Sequence, residues 1–410
     1  MLHDRLKVIV INKPEFSKSY VTLSAPIGSI HQGYLKDGEV VPTPAGIAHF
    51  LEHKVFEYEG QDISRIFAMK EAQLNAFTEH NRTTYLFNAT DSVFDHITRL
   101  IKMFFYPQFT TEGINKEKNI IKEELNMHLD DPYYIQYHTL LNHLFHHHPI
   151  KDDILGTKTS IDAIDIEVLK AMHAAYYQAE HAALVIIGDV DEQALKDHLE
   201  SSVTLPKPHP FQPCKEPLDE PKSIKLKSST LTMDILIPSV LVGIKQMPLS
   251  NLDIKTRLKQ QLAFSMFMSL LFGSSGDYYE ILMDKGLIND TYGLDVQLES
   301  SYGYIMIGSE TTHPDALLDT LNEMLKTLKS VSIDKADFDR IKNQMFGNFI
   351  MSLDSLEHLA QESSRFSHED FMIYDLLDIA KTITYEDMLS QKASIDPEKI
   401  ASVVMLPKAK

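Results

Sequence analysis

A chain of 410 residues is too long for one ordinary domain and about right for two or three. Asp plus Glu outnumber Lys plus Arg by 58 to 39, a formal charge of −19, which argues against a nucleic-acid or anionic-membrane binder. A hydrophobic share of 43% suits a chain with a real core, and the lone Cys214 excludes an internal disulfide and any multi-cysteine metal site. A bound metal must then be held by histidine and carboxylate.

Met1 to Lys7 mixes charges of both signs. Val8 to Ile11 is too short for the core of a signal peptide. Strand patterns follow at Lys7–Asn12, Ser19–Ser24, Thr83–Ala89 and Ala183–Ile187, then at Leu241–Lys245 and Gly303–Ser309. Helical patterns cover Ile47–Glu57, Asp91–Phe105 and Glu112–Leu129, and Asp130-Asp131-Pro132 reads as a helix stop. The longest apolar run, Leu262–Phe272, contains Ser265 and Ser269 and falls short of a membrane span. The expectation is a soluble cytoplasmic protein. Its fold class is α+β, with mostly antiparallel sheets and helices packed on one face.

Leu205 to Lys222 holds Pro206, Pro208, Pro210, Pro213, Pro217 and Pro221, which excludes a helix or a central strand. Residues 206–222 are read as a linker between halves 1–205 and 223–410. The halves resemble each other at a constant offset of 224 residues. Asp91-Ser-Val-Phe-Asp-His-Ile meets Asp315-Ala-Leu-Leu-Asp-Thr-Leu, Lys118-Asn119 meets Lys342-Asn343, and Met127 meets Met351. This points to a duplication.

The stretch Gly46-Ile-Ala-His-Phe-Leu-Glu-His-Lys-Val-Phe carries chemistry. His49 and His53 are one helical turn apart on one face and can share a metal. Glu52 can reach a water on that metal without being a ligand. The order H-x-x-E-H is that of the inverzincins. Ile47, Ala48, Phe50, Leu51, Val55 and Phe56 make the helix apolar around much of its circumference, so it is expected to be buried. Zinc also needs a third protein ligand and an open position for water. Glu117 and Glu124 are seven apart and share a helical face, with Glu123 about 100° away from Glu124. Such a pair suits one ligand and one orienting carboxylate.

These residues resemble the pitrilysin/insulinase family of zinc metallopeptidases, over nearly the whole chain. H-x-x-E-H is followed by Glu124-Leu-Asn-Met, by Asn75-Ala-Phe-Thr with Thr84-Tyr85, and by His148-Pro with Ile154-Leu-Gly-Thr. The resemblance implies one zinc per chain on His49, His53 and Glu124, with Glu117 in support and Glu52 as the catalytic base. It also implies that Asn75, Ala76 and Phe77 lie on an edge strand that pairs with the substrate backbone. The likeness is to the bacterial subfamily of roughly 400-residue chains, with two homologous pitrilysin-like halves. The implied activity is hydrolysis of unfolded peptides in a clamshell chamber built by a dimer.

The second half departs from the pattern. At the 224 offset Asn348 replaces Glu124 and Ile341 replaces Glu117, so no metal site is expected there. The family's substrate-gripping Arg and Tyr are expected at Leu282 and Asn289. Lys285 is the only nearby cation, and Tyr292 is three residues late. This suggests a heterodimer whose related partner supplies the Arg/Tyr pair, or a homodimer using Tyr292. The rival reading is a non-catalytic or weakly active scaffold subunit. Of the other histidines, His146-His147-His148 reads as a surface loop. His3, His31, His80, His96, His128 and His138 read as solvated or capping residues.

Overall fold

The computed structural model describes residues 1–58, 61–214, 219–369 and 371–408. Two compact units form, each drawn from both halves of the chain. One joins Met1–Asn126, Asp152–Pro217 and Met351–Ile373; the other joins Met127–Lys151, Leu218–Ile350 and Tyr374–Lys410.

The first unit is built on a sheet of β1 (Lys7–Asn12), β2 (Ser19–Ala25), β3 (Gln73–Thr78), β4 (Thr83–Ala89) and β5 (Ala183–Gly188). Their order is β1-β5-β2-β4-β3. β1 and β5 run parallel, with Lys7 opposite Ala183, and the remaining pairs are antiparallel. β3 is an edge strand, paired with β4 from Gln73 opposite Asn88 to Thr78 opposite Thr83. Alternate residues of a strand face opposite sides of its sheet. Val21 and Leu23 enter the core with Phe50 and Leu51 of helix α1 (Ile47–Val55) and Ile97 and Ile101 of helix α2 (Val93–Phe105). Helix α3 (Thr111–Leu129) adds Ile114, Ile121 and Leu125, a helical spacing that leaves its charged faces outward.

The second unit repeats this plan. Its strands are β6 (Ser228–Met233), β7 (Ser239–Gln246), β8 (Gly293–Leu298), β9 (Gly303–Glu310) and β10 (Ile400–Pro407). Their order, β6-β10-β7-β9-β8, with β6 and β10 parallel, is that of the first sheet. Asp131 caps helix α4 (Pro132–Leu144), its carboxylate accepting the backbone N–H groups of Tyr133 and Tyr134. The expected helix stop therefore also starts the next helix. Val240, Val242 and Ile244 pack with Phe264, Phe267 and Leu271 of helix α5 (Ile254–Phe272). The duplication extends to helix α6 (Lys335–Ser352) and helix α7 (Leu356–Phe366), which open 224 residues after α3 and α4.

Helices α4 and α7 occupy the second face of a sheet, a feature outside the sequence expectation. Gln136 of α4 donates to the carbonyls of Val403 (2.9 Å) and Ser239 (3.3 Å) in the second unit. Tyr20 of β2 donates to Glu357 of α7 at 3.3 Å in the first. Each helix comes from the other half of the sequence.

Within the proline-rich segment, Gln212–Pro213 forms the edge of a small sheet with Gly33–Lys36 and Glu39–Pro42. An edge position tolerates proline's missing N–H. Residues 215–218 of that segment lie outside the described residues. Glu220 accepts the backbone N–H groups of His146, His147 and His148 at 2.9, 2.7 and 2.8 Å, and pairs with buried Lys245. Burial pushes the Glu220 carboxyl up, but Lys245 and the three N–H groups outweigh it and bring the pKa down to about 2. The histidine tract is thus an anchored loop that exposes His147, as expected of a surface loop, but buries His148. His96 is also buried, between the rings of Phe67 and Phe87, where a solvated or capping residue was expected. Among the described residues, no helix is long and apolar enough to cross a membrane.

Candidate metal centre and active site

Helix α1 is buried because its apolar residues wrap most of its surface. Its start is set by two glycines. Gly46 has φ 87°, and a Cβ there would lie 2.3 Å from the Leu155 carbonyl oxygen. Gly156 has φ 81°, and a Cβ there would lie 2.5 Å from the Ala45 carbonyl oxygen. Both positions require glycine's left-handed backbone and its missing side chain. The Ile154-Leu-Gly-Thr motif therefore seats the first turn of α1.

That helix presents His49 and His53 with ring centres 4.5 Å apart. Helix α3 crosses their face. Glu124 places one carboxylate oxygen 3.7 Å from His49 Nε2 and the other 3.6 Å from His53 Nε2. One ligand atom from each of these residues lies within 4.8 Å of the others, so the group can hold a metal ion. Donors around a tetrahedral zinc at about 2.0–2.1 Å stand about 3.3 Å apart, so the spacing and the donor types fit zinc. Glu117, two turns earlier on α3, puts Oε1 at 2.9 Å from His53 Nδ1. A carboxylate only accepts, so Nδ1 carries the proton and Nε2 keeps its lone pair for a metal.

Glu52, on the same helix as the two histidines, lies close enough to His53 and Glu124 to feel both charges. Thr78, the last residue of edge strand β3, donates its hydroxyl to Glu52 Oε2 at 2.6 Å. Burial raises the Glu52 pKa, opposed by Thr78 and by the charge of His53. Burial works against a charged His53, but Glu117, Glu52 and Glu124 outweigh it and raise its pKa. Lys54 is fully buried and pairs with Glu57. Burial lowers its pKa and the charge of Glu117 opposes this.

Asn75, Ala76 and Phe77 lie on β3, the edge strand next to Glu52. Asn75 is exposed, and its side-chain oxygen accepts from the Ala76 N–H at 2.9 Å. Such an edge can receive an extended peptide. Sequence reading missed Thr78 and Lys54. Thr78 closes the quoted Asn75-Ala-Phe-Thr motif, but its link to Glu52 spans 26 residues and depends on the fold. Lys54 looked like an ordinary polar residue between His53 and Val55.

In the second unit Leu282 is fully buried, and Asn289 accepts from the backbone N–H and hydroxyl of Thr291. Tyr292 is half-buried, and its hydroxyl donates to the Phe272 carbonyl at 2.8 Å.

The sequence matches the family described as Insulinase (Peptidase family M16) over residues 7–158 and Peptidase M16 inactive domain over residues 163–345. It is 32% identical to the uncharacterized zinc protease YmfH of Bacillus subtilis (strain 168), covering 97% of this chain and 94% of that protein. The crystal structure of a putative M16-like peptidase from Alicyclobacillus acidocaldarius superposes with a TM-score of 0.93 at 27% identity, over 99% of this chain and 97% of that one. A protease from Helicobacter pylori shares the fold, with a TM-score of 0.80 at 20% identity, over 99% and 98% of the two chains. The chain belongs to the insulinase family, peptidase family M16.

Proposed function

We propose that this chain is a zinc metalloendopeptidase that hydrolyses unfolded peptides. The observation that carries this is the convergence of His49, His53 and Glu124 beside a half-buried, Thr78-bonded Glu52. Zinc held there would supply a Lewis acid that lowers the pKa of a coordinated water toward about 7. Glu117 holds the His53 ring in the tautomer that presents Nε2. Glu52 takes the proton of the attacking water and returns it to the leaving amine. Asn75, Ala76 and Phe77 align the substrate backbone along the edge of β3. The family membership and the zinc-protease names of relatives support this reading.

The working form is a dimer that encloses the peptide. Leu282 and Asn289 offer no cation or phenol, and the Tyr292 hydroxyl is already bonded to a carbonyl. This favours a heterodimer in which a related chain supplies the Arg/Tyr pair, over a homodimer using Tyr292. The isolated chain is then weakly active, which is where the scaffold reading retains force. One buried cysteine suits a reducing cytoplasm. The test is cleavage of a quenched unfolded peptide by the chain alone and with a related chain, each with and without a chelator. Zinc-dependent cleavage that grows on pairing supports the proposal. Cleavage insensitive to chelation sinks it.

A further inference from the structure

Edge strand β3 ends at Thr78, whose hydroxyl bonds Glu52. The chain then turns through His80 and Asn81, closed by the Glu79 N–H donating to the Arg82 carbonyl at 2.9 Å, and enters β4. Two-residue hairpin turns that match strand twist need a positive φ at their first central residue. Neither His80 nor Asn81 has one. Backbone preference alone therefore holds this turn weakly.

The loop after β2 grips it instead. Ser29 N–H donates to the Glu79 carbonyl and Ile30 N–H to the His80 carbonyl, both at 3.0 Å. The buried Ser29 hydroxyl lies 2.9 Å from His80 Nδ1. Thr83, just past the turn, donates its hydroxyl to the Ile27 carbonyl at 2.8 Å. Gly28 makes this approach possible. A Cβ there would lie 2.3 Å from the Glu79 carbonyl oxygen, 2.4 Å from the His80 carbonyl carbon and 2.5 Å from the Asn81 nitrogen. Its φ is not positive, so the position needs glycine for space and not for conformation.

We propose that Gly28 and Ser29 are positioning residues of the active site. They clamp the turn between β3 and β4, and the clamp sets the Thr78 hydroxyl against the Glu52 carboxylate. The inference rests on the peptidase reading above, in which Glu52 moves the proton. The lever is short, because Glu79, the residue bonded by Ser29, directly follows Thr78. A misplacement of about 1 Å in a catalytic array can cost about 100-fold in rate. Gly28→Ala puts a methyl group inside contact distance of three backbone atoms, so the turn must give way.

The experiment is a double-mutant cycle in the full chain, with the related chain present wherever the parent needs it for turnover. It compares Gly28→Ala, Ser29→Ala and Thr78→Val with the doubles Gly28→Ala/Thr78→Val and Ser29→Ala/Thr78→Val. Cleavage of the quenched peptide gives kcat and KM, and metal analysis gives zinc content. Amide hydrogen exchange across Thr78–Thr83 is followed in the metal-free chain. Gly28→Ala should keep its zinc, speed exchange in the turn and lower kcat about 10-fold or more, with a smaller loss for Ser29→Ala. Once Thr78 is valine, either change should cost no more than about 2-fold further, because the bond it positions is already gone. Parent-level kcat or unchanged exchange in folded Gly28→Ala overturns the proposal. So do losses that multiply in the double variants, since the loop would then act through general packing. If Gly28→Ala fails to fold, the Ser29→Ala cycle decides: coupling to Thr78 upholds the clamp, while multiplying losses or parent-level kcat overturn it. A parent without zinc-dependent turnover, alone or paired, removes the peptidase reading and this proposal with it.

Discussion

His53 Nδ1 lies 2.9 Å from Glu117 Oε1, while His53 Nε2 faces Glu124 at 3.6 Å. One imidazole thus joins two carboxylates with different duties. Replacing Glu117 with Ala leaves the His53 ring free to rotate and to change tautomer. Zinc affinity should fall about 10–100-fold, less than the near-total loss expected for Glu124→Ala. Competition with a chelator measures both.

Glu52 is assigned as the base and not as a ligand. Glu52→Gln should keep zinc at parent stoichiometry and lower peptide turnover by about 100-fold or more. Metal analysis and the quenched-peptide assay on the same sample check this. Parent-level turnover at full purity would remove Glu52 from the mechanism.

Thr78 bonds the Glu52 carboxylate at 2.6 Å from the end of the edge strand. A hydrogen bond to a charged group contributes about 1.5–3 kcal/mol. Thr78→Val should therefore lower kcat about 10-fold or more, while Thr78→Ser retains most of it. Zinc content should be unchanged in both, which separates this role from that of the ligands.

Much of this centre was legible because its parts are local. H-x-x-E-H fixes His49, Glu52 and His53 on one helix, and a seven-residue spacing fixes Glu117 and Glu124 on another. The strands Lys7–Asn12 and Thr83–Ala89 were read to the residue. The duplication was visible as a 224-residue offset, kept by α3 and α6. The three antiparallel strands β2, β3 and β4 instead repeat after 220 residues, as from Ser19 to Ser239 and from Gln73 to Gly293, so they gave no sequence match at the 224 offset. Which helix packs on which sheet is a long-range matter. Nothing local in Pro132–Leu144 tells that Gln136 bonds to Val403, 267 residues away. The burial of Lys54 and His96 depends on the same long-range packing.

Glu220 predicts how one part of the fold responds to acid. Its folded pKa of about 2 lies below the ordinary 4.5. The stability it contributes is present above about pH 4.5 and is lost as the pH falls toward 2. Glu220→Gln should cost about 1–2 kcal/mol at pH 7, with the two proteins converging near pH 2. Thermal unfolding between pH 7 and 2 measures the gap. A gap that widens on acidification would contradict the assignment.

The central claim is that His49, His53 and Glu124 hold one zinc. The most direct measurement is the zinc content of the purified parent chain beside His49→Ala and Glu124→Ala, all after dialysis against trace zinc. The account predicts one zinc per parent chain and almost none in either variant. A parent chain without zinc, or a Glu124→Ala variant that keeps its full complement, would contradict it.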